Sequence, residues 1–522
     1  MKVLIIGLDG ATWDVFDDYL LENHMPVLNR LKQTGTSGVL QSTEPPITWA
    51  AWTSFLTGCE PATHGIFATE KYNCSDDSLR IVTAADRTVP NLWEVLSEQG
   101  YKIISIGVPY TYPCSIVNGV LVAGFGCPGM DSDITYPAEF KQELLSELPD
   151  YNILADWKEQ KRYSFDELDK GLSSVETRFN QRLGAVKLAV KKVDWDVMMV
   201  HFHNTDMMEH RIWPFLDSKT RDLYPKYRDR AFKTFEKLDE KIAELIEIAG
   251  ENSLVVFASD HGLCLQTAKA RPNSMLCEWG YLHRKGFLER KLQKTFGKAK
   301  HRKLKQPNER AFNWHASAAM VVTMTTNAHL YLNVKGRQPN GVVELGSEYD
   351  STIADLRKRF SEIINPLTNR PVFSKVGTSG EIYNTKDPTE HGDLILVPDE
   401  GIEIRVSAST KNKGLEPMAD NSLVGWHNYK GVYGICGPDV KKGFLHNTKI
   451  TNIIPTIYAA IGAKLPSLMD GEVLKEIFEK EISYEYQTET TEIKRKNAEG
   501  ESLTIQEEEK ILKSLKALGY IE

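Results

Sequence analysis

Residues 1–10, MKVLIIGLDG, place six positions, Val3 to Leu8, without a polar or charged side chain directly ahead of an aspartate, Asp9. A strand with one wet face alternates apolar and polar residues. An unbroken apolar run is what a central parallel strand, covered on both faces, requires. No small-residue cleavage site follows the run, so it reads as a strand and not as a secretion signal. Strands are also expected in KIISIG (102–107) and DWDVMMVHF (194–202), and SLVVFA (253–258) is another apolar strand. Helical patterns separate these runs. PNLWEVLSEQG (90–100) has Pro near its start and Gly at its end. A long helix is expected over 172–192, and Phe232, Phe235, Leu238, Ile242 and Leu245 recur at helical spacing. Such alternation predicts an α/β fold, a mostly parallel central sheet with helices on both faces.

Two stretches break the rhythm, about 130–170 and 264–345, and read as cap segments inserted into a domain spanning 1–475. Within the second, residues 284–310 hold eleven Lys/Arg against two acids, Glu289 and Glu309. A solvated basic surface is favoured there over an anion-attracting cap. Residues 476–522 read as a charged linker and a C-terminal helix, with a capping box from Thr504 and Glu507 and Gly519 closing the helix.

The 522 residues are 41% hydrophobic and 26% charged, ordinary values for a globular protein. A net charge of −8 disfavours nucleic acid as a partner. No apolar run of about 18 residues exists, so no membrane span is expected. Seven cysteines without C-x-x-C spacing read as reduced thiols of a cytoplasmic protein.

Oxygen and nitrogen ligands stand just after the expected strands. Asp9 ends the first, Asp206 and His210 follow the run ending near Phe202, and Asp260 and His261 follow SLVVFAS. In open α/β sheets ligands collect beyond the carboxyl ends of strands, so these residues should meet at one rim. Asp206 and His210, four apart, share a helix face and can clasp one metal. Aspartate and neutral imidazole suit zinc or manganese. Each match alone is weak, since an Asp after a strand is often a helix cap. Their coincidence is what carries weight. A further candidate is Thr48 in EPPITWAAWTSFLTGCEPATHGI (44–66), behind Pro45 and Pro46 and at the mouth of a helix expected from Trp49. A threonine there caps the helix, and its hydroxyl can also serve as a nucleophile if a cation and the positive helix end stabilise its alkoxide.

IIGLDGATWD, PPITWAAWTSFLTGCEPATHGIF, HNTDMMEHRIWP, FASDHGL and VGWHNYKGVYGICGPDVKKG, in this order, resemble the motifs of the alkaline phosphatase superfamily, in its type I phosphodiesterase and nucleotide pyrophosphatase branch. TNIIPTIYAAIGAKLPSLMDGEVL resembles the closing motif that this branch shares with the sulfatases, so the resemblance runs to about residue 475. It implies two divalent metal ions, zinc first and manganese as the alternative. Asp9, Thr48, Asp260 and His261 would hold one, and Asp206, His210 and His427 the other. His427 enters through the resemblance alone, with His201, His203 and His391 as competitors. His64 is expected to support the nucleophile loop. The implied reaction is cleavage of a small phosphodiester or pyrophosphate through phospho-threonine at Thr48.

One position departs from the branch. Where its pyrophosphatases carry an Asn five residues after the His of H-G-I, this chain has Thr69, with Lys71 close by. Thr69, Lys71 and Arg337 are therefore the substrate-binding candidates, and a phosphomutase, a phosphomonoesterase or a non-catalytic binding protein on the same fold stand as alternatives.

Overall fold

The structure, a computed structural model, describes residues 1–157, 163–286, 312–385, 391–407, 414–418, 424–488, 491 and 503–517. The chain divides into two compact units: one of Met1–Ile66, Thr83–Leu265 and Ser422–Leu518, the other of Phe67–Val82 and Gln266–Asn421.

The first unit is built on the expected sheet. Its strands are β1 (Val3–Leu8), β2 (Thr36–Gln41), β3 (Ile103–Val108), β4 (Gly119–Ala123), β5 (Val197–Phe202), β6 (Leu254–Ala258) and β7 (Lys430–Cys436). They lie in the order β2-β7-β6-β1-β5-β3-β4, with short strands at either edge. From β6 to β4 all pairings are parallel, and Ile5 at the centre faces Met199 on one side and Val256 on the other. Every residue of β1, β3, β5 and β6 is buried, which is why each reads as a continuous apolar run. The exception to parallel order is β7, which runs antiparallel between β2 and β6.

The helices of this unit include α1 (Thr48–Thr57), α2 (Phe165–Ala189), α3 (Asn204–Leu216), α4 (Pro225–Ala249) and α5 (Ile505–Ala517). In α4, Phe232, Phe235, Leu238, Ile242 and Leu245 all face the core. The start of α2 lies seven residues before the expected 172, because Ser164 and Glu167 form a reciprocal capping box that holds the first turn. Part of the 130–170 interruption is thus helical. At α5 the capping box of Thr504 and Glu507 is present. Glu507 also accepts from the Tyr112 hydroxyl at 2.7 Å, and Lys510 pairs with Asp131. The expected stop at Gly519 lies outside the described residues, as does the basic stretch beyond Gly286.

The second unit has its own apolar core, around Tyr72, Leu330, Tyr331, Phe360 and Leu394. Its main sheet has four strands, in the order Ala319–Met324, Ala328–Leu332, Leu394–Pro398, Phe373–Gly377, and every pairing is antiparallel. The interruption read at 264–345 falls in this unit, which continues to Asn421 and recruits the hairpin of Glu70–Asn73 and Ser78–Ile81. Among the described residues no helix is long and apolar enough to cross a membrane. All seven cysteines are free thiols, and burial pushes those of Cys59, Cys127 and Cys436 up to about 12.

Candidate active site at the strand ends

Asp9 follows β1, and Asp260 and His261 follow β6, its parallel neighbour. Adjacent parallel strands end side by side, so these three side chains converge, each fully buried. His261 Nε2 lies 3.2 Å from Asp260 Oδ2 and 3.7 Å from Asp9 Oδ1. Asp9 Oδ1 and Asp260 Oδ2 are buried and accept no hydrogen bond among the described residues.

Thr48 Oγ1 joins the cluster at 3.4 Å from His261 Nε2. The expected capping role is corrected here. The cap position is Ile47, no side chain caps α1, and Thr48 is the first helical residue. Its hydroxyl therefore faces the carboxylate–imidazole cluster at the positive end of α1.

The second cluster is assembled differently. On the other side of β1 lies β5, which leads into α3. Asp206 and His210, one turn apart on α3, approach to 3.2 Å. His427 comes from a two-stranded antiparallel pair in which Gly425–Asn428 lies beside Gly262–Leu265, opposite Leu263. Its Nε2 is 2.9 Å from His210 Nε2 and 3.6 Å from Asp206 Oδ1. The Nδ1 atoms of the two imidazoles lie beside carbonyl oxygens, Gly425 O at 2.7 Å for His210 and Pro46 O at 3.1 Å for His427. Carbonyls only accept, so each Nδ1 carries a proton and each ring turns its Nε2 toward the other. Two ring nitrogens and a carboxylate oxygen meeting in this way call for a cation or a shared proton between them. The His261 and His427 rings stack at 3.8 Å, which makes the two clusters contiguous.

Three buried carboxyls share this space, and their titration reflects it. Burial and the charges of Asp9 and Asp206 raise Asp260 well above the usual range. Burial also pushes Asp206 up, but His210 outweighs it and the net effect is a lowering. At Asp9 burial is likewise overcome, by His203 and His201, and the carboxyl is held well below its usual value. Burial, His261 and His210 keep His427 neutral. Bare carboxylate oxygens and unprotonated ring nitrogens facing one another form a donor set that fits divalent cations. The groups Asp9–Asp260–His261, Asp206–His210–His427 and Asp9–His203–Asp206 each bring three ligand atoms within 4.8 Å of one another.

The profile of the type I phosphodiesterase / nucleotide pyrophosphatase family matches residues 3–430. The chain belongs to this family. It is accordingly a hydrolase of phosphoric ester bonds, from a metal-dependent family. Two solved structures share its alkaline-phosphatase-like fold. Human ectonucleotide pyrophosphatase / phosphodiesterase 5 is 12% identical at a TM-score of 0.51, over 92% of this chain and 100% of that one. Phosphonoacetate hydrolase from Sinorhizobium meliloti 1021, in complex with phosphonoformate, is 13% identical at a TM-score of 0.52, over 87% and 94%. No curated protein matches.

All seven side chains that the family resemblance implies are brought together: Asp9, Thr48, Asp206, His210, Asp260, His261 and His427. His64 sits under α1, its Nε2 2.8 Å from Ser54 Oγ, while its Nδ1 accepts from the Ile66 N–H at 3.1 Å. Of the competitors to His427, His201 and His203 contact Asp9, at 3.2 and 2.9 Å. His391 belongs to the second unit, packed on Phe67. The three substrate-binding candidates also lie in that unit. Thr69 Oγ1 is buried without a hydrogen-bond partner among the described residues, and Lys71 stands opposite Arg80 in the hairpin. Arg337 is committed elsewhere. Two 2.7 Å bonds tie its guanidinium to Asp393 and a third, at 2.6 Å, goes to Leu332 O, so most of its donors serve the unit's own packing.

Proposed function

We propose that the chain cleaves a small phosphodiester or pyrophosphate through a phospho-threonine intermediate at Thr48, with two divalent cations, zinc or manganese, held at the strand ends. The observation that carries this reading is the position of Thr48 Oγ1. It is 3.4 Å from His261 Nε2, beside Asp9 and Asp260, and it makes no helix cap. Asp9, Asp260, His261 and Thr48 would hold one ion and Asp206, His210 and His427 the other. Bound cations would supply positive charge that lowers the pKa of the threonine hydroxyl and neutralises the phosphoryl oxygens.

The chain's own residues do the rest. Pro45, Pro46 and the N-terminal turn of α1 fix the hydroxyl, so little freedom remains to be lost on attack. Thr48 Oγ1 bonds to phosphorus as the ester or anhydride oxygen departs with its electron pair. Water then attacks the phospho-threonine, releasing the phosphorylated product and restoring the hydroxyl. The His64–Ser54 bond holds α1 from beneath during both steps.

Thr48→Ala tests this. Metal content should stay close to that of the unsubstituted protein, while turnover of bis-nitrophenyl phosphate falls by about 10³-fold or more, since a covalent route loses its nucleophile. A rapid acid quench of the unsubstituted protein should capture phosphate on residue 48. Full activity in Thr48→Ala would refute the assignment.

A further inference from the structure

The metal-site reading leaves one group of buried residues without a role, the two histidines that close β5. His201 and His203 are 0% and 1% exposed, too deep for solvent to satisfy them. Both turn toward Asp9 Oδ2. His203 Nδ1 lies 2.9 Å from that oxygen, and the Trp52 indole N–H donates to it at 3.2 Å. His201 Nε2 lies 3.2 Å from it without hydrogen-bond geometry. A carboxylate oxygen in this setting has two in-plane lone pairs. Two donors fill them, so Oδ2 has no capacity left for a cation, while Oδ1, on the side of His261, accepts no hydrogen bond among the described residues.

Sequence spacing explains why the donors are where they are. Trp52 is four residues after Thr48 on α1, so nucleophile and indole share one helix face. Gly7, in β1, leaves space for the rings. A Cβ there would stand 2.6 Å from the His201 ring and 3.1 Å from Trp52. His201 packs edge-on against Trp52 at 4.7 Å, and Phe125 stacks on His203 at 4.4 Å. The rings that hold Oδ2 are themselves clamped, and a clamped donor fixes a carboxylate more firmly than a mobile one.

We infer that His203 and Trp52 are positioning residues. They pin Asp9 Oδ2 so that Oδ1 alone is presented to the cation, and through the four-residue spacing on α1 they set that oxygen in register with the Thr48 hydroxyl. The inference rests on the proposed metal sites and deepens that reading. The competing account makes His203 a ligand itself, completing an ion site with Asp9 and Asp206, whose ligand atoms lie within 4.8 Å of its own. Saturation of Oδ2 opposes that account.

The experiment measures binding of zinc, and separately of manganese, to the full chain, by elemental analysis and by competition with a chelator. His203→Leu removes the donor at similar volume. His203→Asn keeps an N–H near the place of Nδ1. Trp52→Phe removes one N–H and keeps most of the ring. The expected result is two ions per chain before substitution, and a loss of about 10–100-fold in affinity for one of them in His203→Leu, the scale known for residues that orient metal ligands. A smaller loss is expected in Trp52→Phe, and recovery to within a few-fold in His203→Asn. Thermal unfolding after chelator treatment should be alike in His203→Leu and His203→Asn, which separates positioning from a folding defect. Unchanged affinity in folded His203→Leu overturns the inference, and so does a drop from three ions to two in both His203 variants. Absence of metal from the unsubstituted protein would instead overturn the metal-site reading, and with it this one.

Discussion

The Asp9–Asp260–His261 cluster and the Asp206–His210–His427 cluster use the same ligand types in reversed proportion and reach them by different construction. The first has two carboxylates and one imidazole, takes its residues from the ends of neighbouring strands, and is wholly closed to solvent. The second has one carboxylate and two imidazoles, taken from one helical turn and a long-range antiparallel strand pair, and the side chain of His210 keeps 22% of its exposure. The charge consequence differs. A single proton on His210, whose basicity Asp206 raises against the effect of burial, offsets much of the second cluster. The first has no such remedy: His261 is lowered by burial, and Asp260 is pushed up by burial and by the charges of Asp9 and Asp206. Buried like charges destabilise unless an opposite charge accompanies them, so the first cluster depends more heavily on its cation.

That contrast can be broken most directly at Asp260. Asp260→Asn should remove one equivalent of bound metal by elemental analysis and leave the Asp206 cluster loaded, with turnover lowered by about 100-fold or more. Loss of both ions together would mean that the clusters do not behave as separate sites. A finer test compares stabilities. Adding chelator should lower the unfolding temperature of the unsubstituted protein, because a ligand present at about 100 times its Kd stabilises by about 2.7 kcal/mol. Asp260→Asn should be less stable than the unsubstituted protein when metal is present, and more stable when it is stripped, since the amide removes one of the crowded negative charges. Calorimetry with and without chelator checks the reversal of sign. An effect of the same sign in both conditions would contradict the dependence of this cluster on its cation.

The smallest effect lies beneath α1. Burial lowers His64 from 6.5 to about 3, with Arg87 contributing, so the ring is neutral in the folded protein. A group with a depressed basic pKa gives its full stabilisation above the unfolded value and loses it as the pH falls. Between about pH 6.5 and 3 this single proton makes stability decline by at most about 1.4 kcal/mol per pH unit. His64→Gln should flatten that part of the curve in denaturant titrations at several pH values. It should leave metal content unchanged, which sets it apart from substitutions in either cluster.

Much of the first cluster was legible in the chain, because each residue directly follows an apolar run and the carboxyl ends of adjacent parallel strands lie together. Asp206 and His210 were legible from their spacing of four. His427 was not: it stands 217 residues from His210 and meets it through a strand that pairs with a segment far earlier in the chain. The holding role of His203 was equally hidden, since a histidine near a strand end reads the same whether it binds a cation or a carboxylate. The antiparallel insertion of β7 and the extent of the second unit also escaped, because each depends on pairing between segments far apart in sequence. At Thr48 the local rule misled. A threonine before a helix reads as a cap, yet the helix begins one residue earlier and the hydroxyl turns to His261.

Periodicity and residue type were enough to determine that four apolar runs form a covered parallel sheet with acids and histidines after them, since burial and helical spacing are local properties of the chain. Strand order, the long-range strand pair carrying His427 and the choice of Asp9 oxygen left open were decided by tertiary structure alone. The physical reason is that convergence of side chains to within about a hydrogen-bond length depends on register and packing between distant segments, which no local pattern encodes.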